Sequence, residues 1–216
     1  MKFILIPIFL SFFISGSYAQ NKEELRKKLD ELDNGLLRIQ ALEKFKDKDY
    51  SGAILDFSYL ISLFPSEWEH YYFRGKSKGY LGDYSGALTD ISKAEGFGVP
   101  AEHLAEIFSS KGYYKSVLGD YRGAILEYTK VIEKDPRNSN AFQNRGLSKA
   151  NLKDYRGAIL DYNKAIELSP NDPQNYRSRG ICKIRFNQKE SGCLDLSKAG
   201  ELGLSSVYEE IRVMCK

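Results

Sequence analysis

The string Asp-Tyr-x-Gly-Ala stands at Asp49 to Ala53, Asp83 to Ala87, Asp120 to Ala124 and Asp154 to Ala158, at spacings of 34, 37 and 34 residues. At average residue frequencies a specified four-residue match has a chance of about one in 100,000 per position. Recurrence at a nearly fixed step therefore constrains the chain more than any composition does: it is one structural unit, repeated. A fifth, degenerate copy follows at Gln188 to Gly192, again 34 residues on. Alignment on these strings divides the chain into units 34–67, 68–104 (with a three-residue insertion), 105–138, 139–172 and 173–206.

Each unit reads as two helices joined by a tight turn. In the fourth, Ala141 to Leu152 predicts the first helix, Lys153 and Asp154 the turn, and Tyr155 to Leu168 the second, which stops before Pro170. Asp154 is placed to accept from the free amides of that second helix, as are Asp49, Asp83 and Asp120. Glycine recurs inside the first helix at Gly75, Gly112, Gly146 and Gly180, each at about 1 kcal/mol against alanine. Close approach of the two helices offsets that cost, with Ala87, Ala124, Ala158 and Gly192 as the small partners. Phe57, Tyr128, Tyr162 and Leu196, then Leu60, Val131, Ala165 and Ala199 three residues on, supply an apolar packing face.

Charge follows the same period. First helices carry Arg74, Lys111, Arg145 and Arg179 and, four residues later, Lys78, Lys115, Lys149 and Lys183, with Lys44 in the first unit. Second helices carry Asp56, Asp90, Glu127, Asp161 and Asp195 at one position. These rows form either an anion-binding surface or a ladder of ion pairs between packed helices. The ladder is favoured, because acids on the facing helix neutralise a basic row first. The 32 basic and 29 acidic residues are interspersed, for a net charge of +3. That pattern excludes a nucleic-acid arm or a polybasic membrane patch.

The N-terminus has Lys2, an apolar run from Phe3 to Ile14 broken by Pro7, and a small, polar stretch from Ser15 to Ala19. It reads as an export signal over 1–19, cleaved before Gln20. The apolar run is shorter than the roughly 20 residues that span a bilayer, so no membrane insertion is expected after cleavage. Residues 20–33 read as a short lead-in helix. The expectation is a periplasmic or secreted bacterial protein.

Export permits disulfides. Cys182, Cys193 and Cys215 allow at most one intramolecular pair, and Cys182 reads as a small buried apolar side chain. His70 and His103 stand without a nucleophile or metal-ligand motif, and the nearest cysteine spacing is eleven residues, Cys182 to Cys193. No catalytic residue, metal site or cofactor is expected.

On Phe142, Gly146, Tyr155, Ala158, Tyr162, Ala165 and Pro170 the chain resembles the tetratricopeptide repeat family, and the resemblance extends over 34–206. The first unit departs from it with Ala41 where glycine is usual, the second with Gly-Phe-Gly-Val-Pro in place of a clean stop, and the fifth in lacking the Asp-Tyr turn. The resemblance implies an all-α fold: a right-handed superhelical solenoid of antiparallel helix pairs, with a capping helix over 207–216. First helices would line its inner wall. Arg38, Leu42 and Phe45 would face that groove in the first unit, then Tyr72, Lys76 and Tyr80 in the second. Ser109, Tyr113 and Ser116 would continue it, followed by Gln143, Leu147 and Asn151, and by Arg177 and Ile181. The lysine and asparagine clamp with which some members grip a C-terminal carboxylate is missing, since Arg38, Ile39, Leu42 and Phe73 occupy the positions where it begins.

The function implied is a non-enzymatic scaffold of the cell envelope that binds a peptide or a partner helix, with no nucleic acid. The alternative is an envelope assembly or secretion chaperone for one client protein. Folding the final helix back antiparallel brings Cys215 near Cys193, and that pair is the expected disulfide.

Overall fold

A computed structural model describes Glu24 and residues 35–216. The leader over 1–19 and the lead-in helix over 20–33 fall outside the described residues, Glu24 excepted. The chain divides into two compact units, Met1–Pro65 and Ser66–Lys216. In the first, α1 is helical over 35–46 and α2 runs Tyr50–Leu63. Ala41 and Ala53 are fully buried, and the Lys44 ammonium lies 2.7 Å from the Asp56 carboxylate on the facing helix.

The second unit holds α3 (Trp68–Tyr80), α4 (Tyr84–Gly96), α5 (Leu104–Val117), α6 (Tyr121–Lys134), α7 (Ser139–Asn151), α8 (Tyr155–Leu168), α9 (Pro173–Arg185), α10 (Lys189–Glu201) and α11 (Val207–Met214). Within this unit each odd-numbered helix from α3 to α9 packs on the even one that follows it, and each even one from α4 to α10 on the next odd helix. Neighbouring first helices also touch, α3 with α5, α5 with α7 and α7 with α9. Among the described residues there is no strand.

The recurring string explains the turns. Asp49, Asp83, Asp120 and Asp154 each accept a backbone hydrogen bond, at 2.8 to 2.9 Å, from the glycine three residues on. Each thereby satisfies an amide that the first turn of a helix leaves free. The residue before each aspartate is in the left-handed region, at Lys48, Gly82, Gly119 and Lys153. Gln188 makes no side-chain cap, although Asn187 before it keeps the left-handed turn.

Close approach to the expected small partners accounts for Gly75 and Gly180, whereas Gly112 and Gly146 make room for the Tyr128 and Tyr162 rings rather than for Ala124 and Ala158. A Cβ on Gly180 would stand 2.8 Å from the Gly192 carbonyl oxygen, and one on Gly75 would stand 3.0 Å from that of Ala87. The apolar face closes on the same contact, with Tyr128, Val131, Tyr162, Ala165, Leu196 and Ala199 all buried. α7 begins at Ser139, earlier than the apolar periodicity predicts, because the Asn138 side chain caps it by accepting from the Ala141 amide at 3.0 Å. In the unit with the insertion, α4 stops at Gly96 and Gly98 turns with φ of +79°. One 3-10 turn, Ala101–His103, then leads into α5.

The charged rows form the ladder. Asp90 on α4 takes Arg74 at 2.7 Å and Lys78 at 2.8 Å from α3. Asp161 takes Arg145 and Lys149 at 2.7 Å each, and Asp195 takes Arg179 at 2.6 Å and Lys183 at 2.8 Å. Glu127 is held by Lys111, Lys115 and Lys130, and Lys111 also pairs with Glu95. Burial alone would raise the Asp90 and Glu127 carboxyls, but hydrogen bonds and charge from these cations outweigh it and hold both below their ordinary values.

α11 continues the period. Ser139, Pro173 and Val207 open α7, α9 and α11 at 34-residue steps, so α11 stands where the first helix of a further unit begins. Val207 is fully buried, and Arg177 of α9 donates from Nε to both oxygens of Glu210, at 2.9 and 3.0 Å. Cys193 and Cys215 are joined in a disulfide, their Cα atoms 5.8 Å apart.

Candidate functional site

Two adjoining cavities lie along α3, α5 and α7. The first, about 480 Å³, is lined by Tyr72, Phe73 and Lys76 of α3, by Ala105, Glu106, Ser109 and Ser110 of α5, and by Asn138 at the start of α7. The second, about 460 Å³, adds Gly79 and Tyr80, Tyr113 and Tyr114, and Asn140 and Asn144. Lys76, Ser109, Ser110 and Asn138 line both.

The tyrosines divide into two kinds. Tyr72 and Tyr114 are buried, whereas Tyr80 and Tyr113 are 57% and 52% exposed and present their rings to solvent. Tyr72 packs 6.0 Å from Trp68 and 5.2 Å from Phe73, between ring centroids. Burial raises its hydroxyl pKa, with the Lys76 charge opposing. Tyr114 forms the floor of the second cavity, where any Cβ on Gly79 would collide with its ring. Burial likewise raises its pKa, so both hydroxyls stay protonated and able to donate at neutral pH.

Of the groove residues expected from the sequence, Tyr72, Lys76, Tyr80, Ser109 and Tyr113 meet here. Ser116, Gln143, Leu147 and Asn151 lie on α5 and α7 but do not line either cavity. Gln143 reaches 3.4 Å to Asp172, and the Asn151 amide donates to the Leu147 carbonyl at 2.9 Å. Arg177, expected to face a ligand, is taken up by Glu210, while Ile181 is half-buried on α9. Arg38 is exposed on α1, and Leu42 and Phe45 are half-buried there. Sequence reasoning missed Asn138, Asn140, Asn144 and Ser110. The signal available for the asparagines was their cluster in Asn138-Ser-Asn-Ala-Phe-Gln-Asn144, in which Asn140 and Asn144 stand about one helical turn apart.

Among the described residues, no three His, Cys, Asp or Glu side chains are placed to hold a metal, and no helix is long and apolar enough to cross a membrane. His103 packs against the Trp68 ring at 5.2 Å. Cys182 is buried beside Ala158 and Tyr162, and burial pushes its thiol up to about 11.

The tetratricopeptide repeat family profile matches residues 139–172, the fourth unit. No curated protein gives a significant match. Among solved structures, MamA from Desulfovibrio magneticus RS-1 superposes with a TM-score of 0.74 at 20% identity, over 80% of this chain and 96% of that one. YrrB, a TPR protein with an unusual peptide-binding site, superposes with a TM-score of 0.72 at 16% identity, over 80% of this chain and 89% of its own. These likenesses are of fold, and they match the all-α succession of helix pairs. The fourth unit carries the sequence of the tetratricopeptide repeat, and the succession of helix pairs around it shares the fold of these solved structures.

Proposed function

We propose that this chain is a protein-interaction scaffold which holds an extended segment of a partner protein along α3, α5 and α7, and that it acts in the envelope of a bacterium after export. One observation carries the reading: two adjoining cavities, which share Lys76, Ser109, Ser110 and Asn138, together reach across three successive first helices. An extended segment offers main-chain N–H and C=O groups along its length. The amides of Asn138, Asn140 and Asn144 and the hydroxyls of Ser109 and Ser110 suit those groups, since they both donate and accept. Tyr80 and Tyr113 add rigid apolar area with a hydrogen-bonding tip. The peptide-binding site of YrrB, on a similar fold, supports the same reading. Export is supported by the composition of residues 1–19 and by the Cys193–Cys215 disulfide, a bond of oxidising compartments.

Capture from a bacterial envelope extract tests it, with wild type compared to the Tyr80→Ala, Tyr113→Ala double variant. Both rings are exposed, so melting temperature should hold while the captured protein is lost. Capture that survives the double change puts the contact elsewhere, and no capture by the wild type removes the scaffold reading.

A further inference from the structure

The groove holds one cation that the ladder leaves over. On α3, α5 and α7 the other lysines and arginines, Arg74, Lys78, Lys111, Lys115, Arg145 and Lys149, are all paired with carboxylates of the second helices. Lys76 pairs with none among the described residues. Its ammonium sits 5.5 Å from the centroid of the Tyr72 ring. A ring face positions a cation without neutralising it. Lys76 lines both cavities, and in the second it is the one charged residue of the lining, amid tyrosine, serine and asparagine. Glu106, the acid of the first cavity, does not line the second.

Building on the groove reading above, we infer that the bound segment carries an acidic side chain, Asp or Glu, which enters the second cavity and pairs with Lys76. The acid belongs to the interior of a segment and not to a chain end, because the cavities extend past Lys76 on both sides, towards Ala105 and Glu106 one way and towards Tyr113 and Asn144 the other. Glu106 repels a second acid from the first cavity and so sets the direction in which the segment lies. Tyr80 and Tyr113 flank the pairing site and lower its exposure to water, which strengthens the pair relative to one on an open surface.

The test is selection from a random library of nine-residue peptides, acetylated and amidated so that neither end is charged, on the purified protein. Wild type should enrich Asp or Glu at one position. Lys76→Gln should weaken its best peptides by about fivefold, the scale of one partly exposed ion pair, and Lys76→Glu should turn the preference to Lys or Arg there. Trp68, 6.0 Å from Tyr72, reports occupancy of the first cavity through its fluorescence. Peptides enriched without an acid, or an acid preference that survives Lys76→Glu, overturn this inference and leave the groove reading intact. A parallel library with free C-termini that yields binders where the amidated one yields none assigns the acid to a chain terminus and also overturns it. A protein that enriches no peptide from either library brings down the groove reading together with this one.

Discussion

The Asp154 carboxylate fills the space that a side chain on Gly157 would need: a Cβ built there stands 2.8 Å from Asp154 Cγ, while the Gly157 amide donates to Oδ1 at 2.9 Å. The same relation joins Asp49 to Gly52, Asp83 to Gly86 and Asp120 to Gly123. The recurring glycine is therefore the counterpart of the recurring aspartate. Gly157→Ala gains about 1 kcal/mol of helix propensity and displaces a cap worth about as much, so alone it should barely move the urea midpoint. Asp154→Ala should lower stability by about 1 kcal/mol, and adding Gly157→Ala to it should recover most of that loss. A full gain from Gly157→Ala in the wild-type chain would make the two residues independent.

Lys153 has φ of +63° at the turn position where Gly82 and Gly119 serve in sister units. A residue with a Cβ is strained there by about 1 kcal/mol, which glycine relieves at some cost in unfolded-chain entropy. Lys153→Gly should stabilise by about 0.5 kcal/mol, raising the melting temperature by about 1 to 2 °C. Lysine to glycine inside a helix would do the opposite, so a lower melting temperature would place Lys153 outside the left-handed region.

The ladder sets the acid limit of the fold. Burial alone would raise Asp90, but Arg74 and Lys78 hold it below its ordinary 3.8, and Glu127 is likewise held below 4.5. A carboxyl whose pKa is lower folded than unfolded binds more protons unfolded. The stability it adds is fully present above its ordinary pKa and is lost as pH falls through the lowered one. Melting temperature should stay level down to about pH 5 and fall below about pH 4. Asp90→Asn should be less stable at neutral pH and less sensitive to acid, with the two curves converging at low pH. Parallel curves would mean that this pair contributes nothing to the acid limit.

Much of this was legible because a repeat prints each signal several times. The caps, the packing row of Tyr128 and Tyr162 and the ladder from Arg74 to Asp195 each recur at the unit step, which separates a structural requirement from local accident. Three-dimensional detail within one face was not legible. Tyr113 and Tyr114 are adjacent in sequence, yet one ring is 52% and the other 5% exposed, a difference set by where each first helix meets the next. Asn138 reads as a loop residue and is one, but capping α7 also brings it to the groove. The fate of Arg177 depended on α11 keeping the 34-residue register, which puts Glu210 beside it. An eight-residue helix prints too little pattern to fix that register.

Thiol chemistry separates the three cysteines. Cys193 and Cys215 are bonded, and Cys182 is buried with a thiol pushed up to about 11. The thiolate is the reactive form, and at pH 8 about one Cys182 thiol in a thousand is ionised. Iodoacetamide should therefore label no cysteine in the native chain, two after reduction and three only in denaturant. The disulfide spans a sequence separation of 22 residues, and closing such a loop is worth about 3 kcal/mol through the unfolded state. In a repeat array each unit answers mainly to its neighbours. Reduction should accordingly speed amide exchange in α10 and α11 first and leave α3 to α6 near their starting protection. Uniform loss across the second unit, or a native chain that labels at Cys182, would contradict this assignment of tether and core.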